Sequence, residues 1–441
     1  MKINLILCFL TFSLLHFLQA EVKSEEDKTV ASKAISCNSV SEYAKEIPPL
    51  RGLSFLNEVP CKLHTKEEVQ EYLLGKINKE DMAEKLNKEE IIFKAIGMIP
   101  HDFSYKEGLV ELYTDQVGGF YEPDGKYYAF ASWLPGSMQG AIAVHELTHA
   151  IQDQHFDLQK MMDDSLMSDM LLARSALVEG DATLVMTDFT RKPFGMPRLK
   201  DEVSVSSTML QTILGATFGG SIKKAPGALQ SMILFPYISG LKFAHALIRE
   251  GGNELLNKAL KNPPRSSSEI LHPEKYLRNL KNGWKENKLS CKMPLDHTNH
   301  DPELIHEDIL GEFGISAHFI AHGRSTIAPE IAPFWVEDRV CLYKYSDKTK
   351  KGNENPANEF YLKWDHLWES EKASDFFVKE VKDQWAKRLG VISNESENAS
   401  ITKVGNFGIE SYRILKEAHS PSSEVNVTDY KTVIEVWIGQ K

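Results

Sequence analysis

The chain has 441 residues, enough for two or three domains with a sizeable core, and its 42% hydrophobic and 26% charged content is ordinary for a soluble globular protein. Its net charge of −11 lacks the basic footprint of a nucleic-acid binder and argues against nucleic acid as a partner.

The chain opens on MKINLILCFLTFSLLHFLQA: one lysine, an apolar run and a small residue at Ala20. This pattern predicts a secretory signal peptide, residues 1–20, and an exported protein. The run is too short and too N-terminal for a typical spanning helix. Cys8, inside it, has no small residues before it and carries no lipid-anchor signal. The remaining cysteines, Cys37, Cys61, Cys291 and Cys341, suggest two disulfides in an oxidising compartment, and proximity favours Cys37–Cys61 and Cys291–Cys341. No CxxC spacing occurs, which argues against a cysteine zinc site. Asn394, Asn398 and Asn426 would accept glycans only in a eukaryotic secretory path.

Residues 21–104 form an N-terminal segment, polar at first and then helical from Thr65 to about Ile96, where apolar residues recur three and four apart. A β-hairpin follows: GFYE and KYYAFAS flank the turn residues Pro123, Asp124 and Gly125. LPGS at 134–137 breaks the chain, and Ser137 could cap the next helix, expected at about 138–156. Further helices are expected at about 163–189, 203–218 and 227–250, the last ending at Gly251-Gly252. Residues 228–248 are apolar, but Gln230, Pro236, Ser239, Lys242 and His245 argue against a span, so no integral membrane segment is expected in the mature chain. From about residue 331 the pattern alternates like strands in RVCLYKY, EFYLKWDHLW, FGIESYRILKE and KTVIEVWIG, with a helix at 371–389. The expected fold class is α+β: a mainly helical domain (105–330) with a small hairpin before its central helix, then a C-terminal α+β domain (331–441). Trp335, Trp364, Trp368 and Trp437 read as core. Oligomeric state is not legible.

The chemistry lies in AIAVHELTHAIQDQHFDL, residues 141–158. Residues four apart on a helix differ by roughly 40° and lie roughly 6 Å apart along the axis. His145 and His149 therefore point the same way and can grip one zinc ion, with Glu146 beside them to take a proton from a zinc-activated water. Catalytic zinc wants a third protein ligand. His155 would supply it only if the helix broke at Gln152, where a glycine would be needed for a sharp turn. A helix continuing through Gln152 points His155 roughly 120° away from His149. Glu179, on the next long helix, closes the ligand set without a forced turn and is favoured.

HELTH followed by EGDAT resembles the gluzincin, or thermolysin-like, class of zinc metallopeptidases. QVGGFYEP, ALVEGDATLV, FPYISGLKF and SSSEILHPEKY add a resemblance, over about residues 105–385, to a group of bacterial exported zinc peptidases. The resemblance implies His145, His149 and Glu179 as zinc ligands, Glu146 as general base, and a strand before the motif helix, here KYYAFAS, lining the cleft. Gluzincins usually place an aspartate four residues after the ligand glutamate to orient a histidine. Here that position is Thr183, and Asp181 comes two residues early, so support for the histidines falls to one of these or to another residue. For stabilising the oxyanion, His272 is the first candidate, with Tyr237 and Tyr276 behind it. The cluster DHTNHDPELIHED, residues 296–308, reads as a charged, solvated loop rather than a second metal site. The implied function is a secreted zinc metallopeptidase, an endopeptidase acting on a peptide or protein substrate. The alternatives are a non-catalytic exported binding or adhesion protein on the same fold, or a zinc hydrolase of a non-peptide substrate.

Overall fold

A computed structural model describes residues 10–12, 36–132, 139–209, 222–291, 302–345, 358–389, 400–402, 409–417 and 430–439. Outside these lie most of the expected signal peptide with Cys8, the 134–137 break with Ser137, part of the third expected helix, residues 296–301, and Asn394, Asn398 and Asn426. The side chain of Trp437 is likewise not described. Both disulfides, Cys37–Cys61 and Cys291–Cys341, are present.

The N-terminal segment begins with α1 (Val40–Arg51) and a short strand β2 (Cys61–His64), followed by α2 (Lys66–Ile77) and α3 (Glu80–Ala95). Thr65 caps α2 by accepting from the Glu68 amide, while the Glu68 carboxylate accepts from the Thr65 amide, so two orphan donors are satisfied reciprocally. After α4 (Tyr105–Gln116) comes the expected hairpin, β3 (Val117–Glu122) and β4 (Tyr127–Ala131). A further strand, β1 (Leu10–Phe12), pairs antiparallel with β3, while β2 pairs parallel with β4. The sheet order is β1-β3-β4-β2. β4 is therefore hydrogen-bonded on both edges. β3 is flanked likewise, by β4 on one edge and by Leu10–Phe12 on the other.

Two long helices follow: the first packs on β3 and β4, and the second packs on the first. α5 (Gln139–Phe156) carries the HExxH motif and runs helically through Gln152. α6 (Ser168–Arg191) carries Glu179. α7 (Gly227–Lys261) packs along α6, and its helical geometry breaks at Gly251 and Gly252, where the sequence expects an end. Among the described helices it is the one long and apolar enough to cross a membrane. Its Leu229, Phe235, Leu241, Phe243 and Leu247 are buried in the protein core.

After α8 (Pro273–Asn282), a second sheet has the order β5-β6-β7-β10-β9-β8, antiparallel throughout. Its strands are β5 (Glu303–Asp308), β6 (Trp335–Lys344), β7 (Asn358–Trp368), β8 (Ser400–Thr402), β9 (Ile409–Glu417) and β10 (Tyr430–Gly439). Helices α9 (Gly311–Ala321) and α10 (Glu371–Leu389) accompany it. β5 corrects one expectation: the second half of the charged 296–308 stretch is an edge strand rather than a loop. Pairing with β6 satisfies its backbone, and an edge tolerates polar side chains. Trp335, Trp364 and Trp368 are buried, and Phe377 of α10 packs on Trp368. One hydrophobic cluster runs from Ile77 and Phe93 through Leu177 and Phe243 to Trp364 and Ile434, joining the helices to this sheet. A second cluster (Ile47, Tyr121, Tyr128, Ile142, Leu147 and Val185) fills the space between α1, the first sheet, α5 and α6.

Candidate metal centre

α5 is buried along almost its whole length, and so are its polar residues His145, Glu146, Thr148, His149, Gln152 and Asp153. Buried polar groups need partners: His145 and Gln152 find them on α6, Thr148 and His149 within α5, and Asp153 in Tyr121 and Lys126. The imidazoles of His145 and His149 lie one turn apart, with ring centroids 4.7 Å apart and planes nearly perpendicular. Glu179 reaches both: its Oε2 lies 3.0 Å from His145 Nε2 and 3.5 Å from His149 Nε2. One ligand atom from each of the three residues can be chosen so that all lie within 4.8 Å of one another. This is the only such group among the described residues, so the 303–308 stretch forms none.

Electrostatics follow from burial. Desolvation pushes His149 down to about 4 and lowers His145, so both imidazoles are neutral lone-pair donors at neutral pH. The same desolvation raises Glu179 to about 7, and its Oε1 is buried without a hydrogen-bond partner. A carboxylate in this setting is costly unless a cation compensates it. Two imidazole nitrogens and one carboxylate oxygen are a donor set that suits catalytic zinc.

His149 is held from behind by Gln152. The Nδ1 of His149 is 2.9 Å from Gln152 Oε1, and Gln152 Nε2 donates to the Val178 carbonyl (3.1 Å) and to Asp181 Oδ2 (2.9 Å). Asp181 in turn pairs with the buried Arg51, whose Nε lies 2.8 Å from Oδ1 and 2.9 Å from Oδ2. Support for this histidine thus comes from a residue on the motif helix itself, backed by Asp181. Thr183 Oγ1 and His145 Nδ1 are both buried without a hydrogen-bond partner.

Glu146 lies against β3. A methyl group built on Gly119 would come within 2.7 Å of Ile142 Cγ2, 2.9 Å of the Ala129 carbonyl oxygen and 3.3 Å of Glu146 Cγ. Only glycine lets β3 lie this close to the motif helix. On the opposite flank, Tyr237 of α7 sits over His145, with ring centroids 6.4 Å apart. Beside Tyr237 lies a mostly apolar cavity of about 160 Å³, whose walls include Leu171, Ser175, Ile233, Pro236 and Phe313.

The structure brings together His145, His149, Glu179, Glu146 and Tyr237. The other candidates stand elsewhere. His272 is half-buried, with its Nε2 2.8 Å from Glu312 and its Nδ1 3.7 Å from Glu274; none of its hydrogen bonds or ion pairs reaches the trio. Tyr276 is core, its hydroxyl donating to the Asn262 carbonyl. His155 lies outside the ligand group, with Nε2 2.8 Å from the Ser54 carbonyl. Sequence reasoning missed Arg51 and the contact of Gln152 with His149. The i+3 spacing from His149 to Gln152 could have revealed the latter, because it places both on one helix face. No local signal marks Arg51.

No protein-family model matches the chain, and comparison with curated proteins finds no match. The reading of this site therefore rests on its own residues.

Proposed function

We propose that this protein is an exported zinc metallopeptidase. One observation carries the reading: the buried donors of His145 and His149 on the motif helix converge with that of Glu179 on α6, and Glu146, next to His145 in the motif, packs against β3. His145, His149 and Glu179 would hold the ion. Bound zinc supplies Lewis acidity, polarising a scissile carbonyl and making hydroxide available near neutral pH. Glu146 takes a proton from the attacking water and passes it to the departing amine. The Tyr237 hydroxyl, rather than His272, donates to the developing oxyanion.

The edge of β3 suits an extended peptide, which would pair with it strand to strand as Leu10–Phe12 does. Removing residues 1–20 as a signal peptide would leave this edge free. The cavity beside Tyr237 matches the roughly 150 Å³ that accommodates a benzene ring, so the favoured substrates carry a large apolar side chain near the scissile bond. Two disulfides fit an oxidising, extracytoplasmic compartment.

The test is incubation of purified residues 21–441 with a mixed peptide library, with and without zinc. Zinc-dependent cleavage that a chelator abolishes is expected. Binding of zinc with no cleavage of any peptide would count against the peptidase reading and favour a binding protein.

A further inference from the structure

A metal-ligating histidine can serve only if the ligating nitrogen carries no proton, and a neutral imidazole carries its proton on one nitrogen or the other. At His149 the nitrogen facing Glu179 is Nε2, and the nitrogen facing away is Nδ1, 2.9 Å from the Gln152 side chain. A glutamine can offer either an oxygen or an NH₂ group to such a neighbour. The choice decides the tautomer: oxygen draws a proton onto Nδ1 and bares Nε2, while NH₂ does the reverse.

The surroundings of Gln152 make that choice. The other end of its amide faces two groups that can only accept, the Val178 carbonyl oxygen at 3.1 Å and the Asp181 carboxylate at 2.9 Å. The NH₂ must point to them, so the oxygen must point to His149. Asp181 is itself fully buried and held in place by Arg51, whose Nε lies 2.8 Å from its Oδ1. Arg51 is the last residue of α1, in the N-terminal segment. The Cys37–Cys61 disulfide brackets α1, and Ile47 and Leu50 anchor it in the core under α5.

We infer that Gln152 is a positioning residue that fixes His149 in its Nδ1–H, metal-ready tautomer, with Asp181 and Arg51 acting through it by locking its amide orientation. The inference rests on the metal-centre reading. It also makes α1 a working part of the site: detaching residues 40–51, as a propeptide would be detached, weakens metal binding rather than releasing activity.

Two measurements test it. In the metal-free chain, imidazole ¹⁵N shifts report the His149 tautomer without any substitution. Nδ1–H with a bare Nε2 is expected, and Nε2–H would overturn the inference. This readout stands even if the chain binds no zinc, an outcome that would sink the metal reading itself. The second is zinc affinity by chelator competition. Gln152→Met, of similar size but unable to accept from Nδ1–H, is expected to bind about 10–100-fold more weakly. Arg51→Met is expected to weaken binding in the same direction, and Arg51→Lys, which keeps a cation against Asp181, to stay near the parent. Parent-like affinity in Gln152→Met would overturn the inference.

Discussion

Gly180 and Gly240 meet backbone to backbone: a methyl group on Gly180 would lie 2.1 Å from the Gly240 carbonyl oxygen, and one on Gly240 would lie 2.1 Å from the Ala176 carbonyl oxygen. This contact draws α7 onto α6 one residue beyond Glu179. It carries Tyr237, three residues earlier on α7, over His145. Gly240→Ala should force the helices apart, at a cost of about 1–3 kcal/mol or more. Urea unfolding would measure the loss, and zinc affinity should fall with it. An unchanged midpoint would mean that the two backbones are not in contact.

Tyr237→Phe keeps the ring and removes the hydroxyl. If that hydroxyl stabilises the oxyanion, kcat should fall about 10²–10³-fold while zinc content and KM stay close to the parent. Equal losses on His272→Gln, with Tyr237→Phe fully active, would return the role to His272.

The cavity beside Tyr237 makes a prediction about selectivity. Ser175 lines it and is buried. Ser175→Leu should raise KM for peptides with phenylalanine or leucine near the scissile bond by about tenfold, the scale of one or two methylenes in an apolar pocket, and leave small-residue peptides nearly unaffected. A uniform change across both peptide classes would place the substrate side chain elsewhere.

How much of this was legible beforehand depended on the range of the interactions. His145, Glu146 and His149 declare themselves because helix geometry alone groups them. Thr65 with Glu68, the hairpin residues 123–125 and the strand-like pattern of residues 359–368 are equally local signals. α1 was not legible: Pro48 and Pro49 lie inside the helix and remove backbone donors, so its pattern reads as non-helical. Arg51 meets Asp181 across 130 positions, a contact that only the packed core creates. β5 was hidden for a related reason, since its charged side chains read as a loop until β6 supplies the pairing.

Acid should loosen the region around the second sheet. His318 and His366 are fully buried and His322 half-buried, at the packing of α9 on β7. Burial lowers all three imidazoles, to about 4 for His322 and about 3 for His366. The unfolded chain takes up these protons near pH 6.5, while the folded chain refuses them until far lower pH. Their contribution is therefore fully present above about pH 6.5 and is lost as pH falls from there towards 4 and 3. For His366 alone the loss by pH 5 is about 2 kcal/mol. Urea midpoints compared at pH 7.5 and pH 5 would show it, and equal midpoints would contradict the burial of these side chains.

The measurement closest to the central claim compares the parent chain with Glu146→Gln, both loaded with zinc and given the same peptides. Glu146 is not among the ligands, so zinc per chain should be equal. Cleavage should fall about 10²–10⁴-fold, the contribution of a positioned general base. Equal cleavage by both proteins would contradict the account, because the carboxylate beside His145 would then have no part in the reaction.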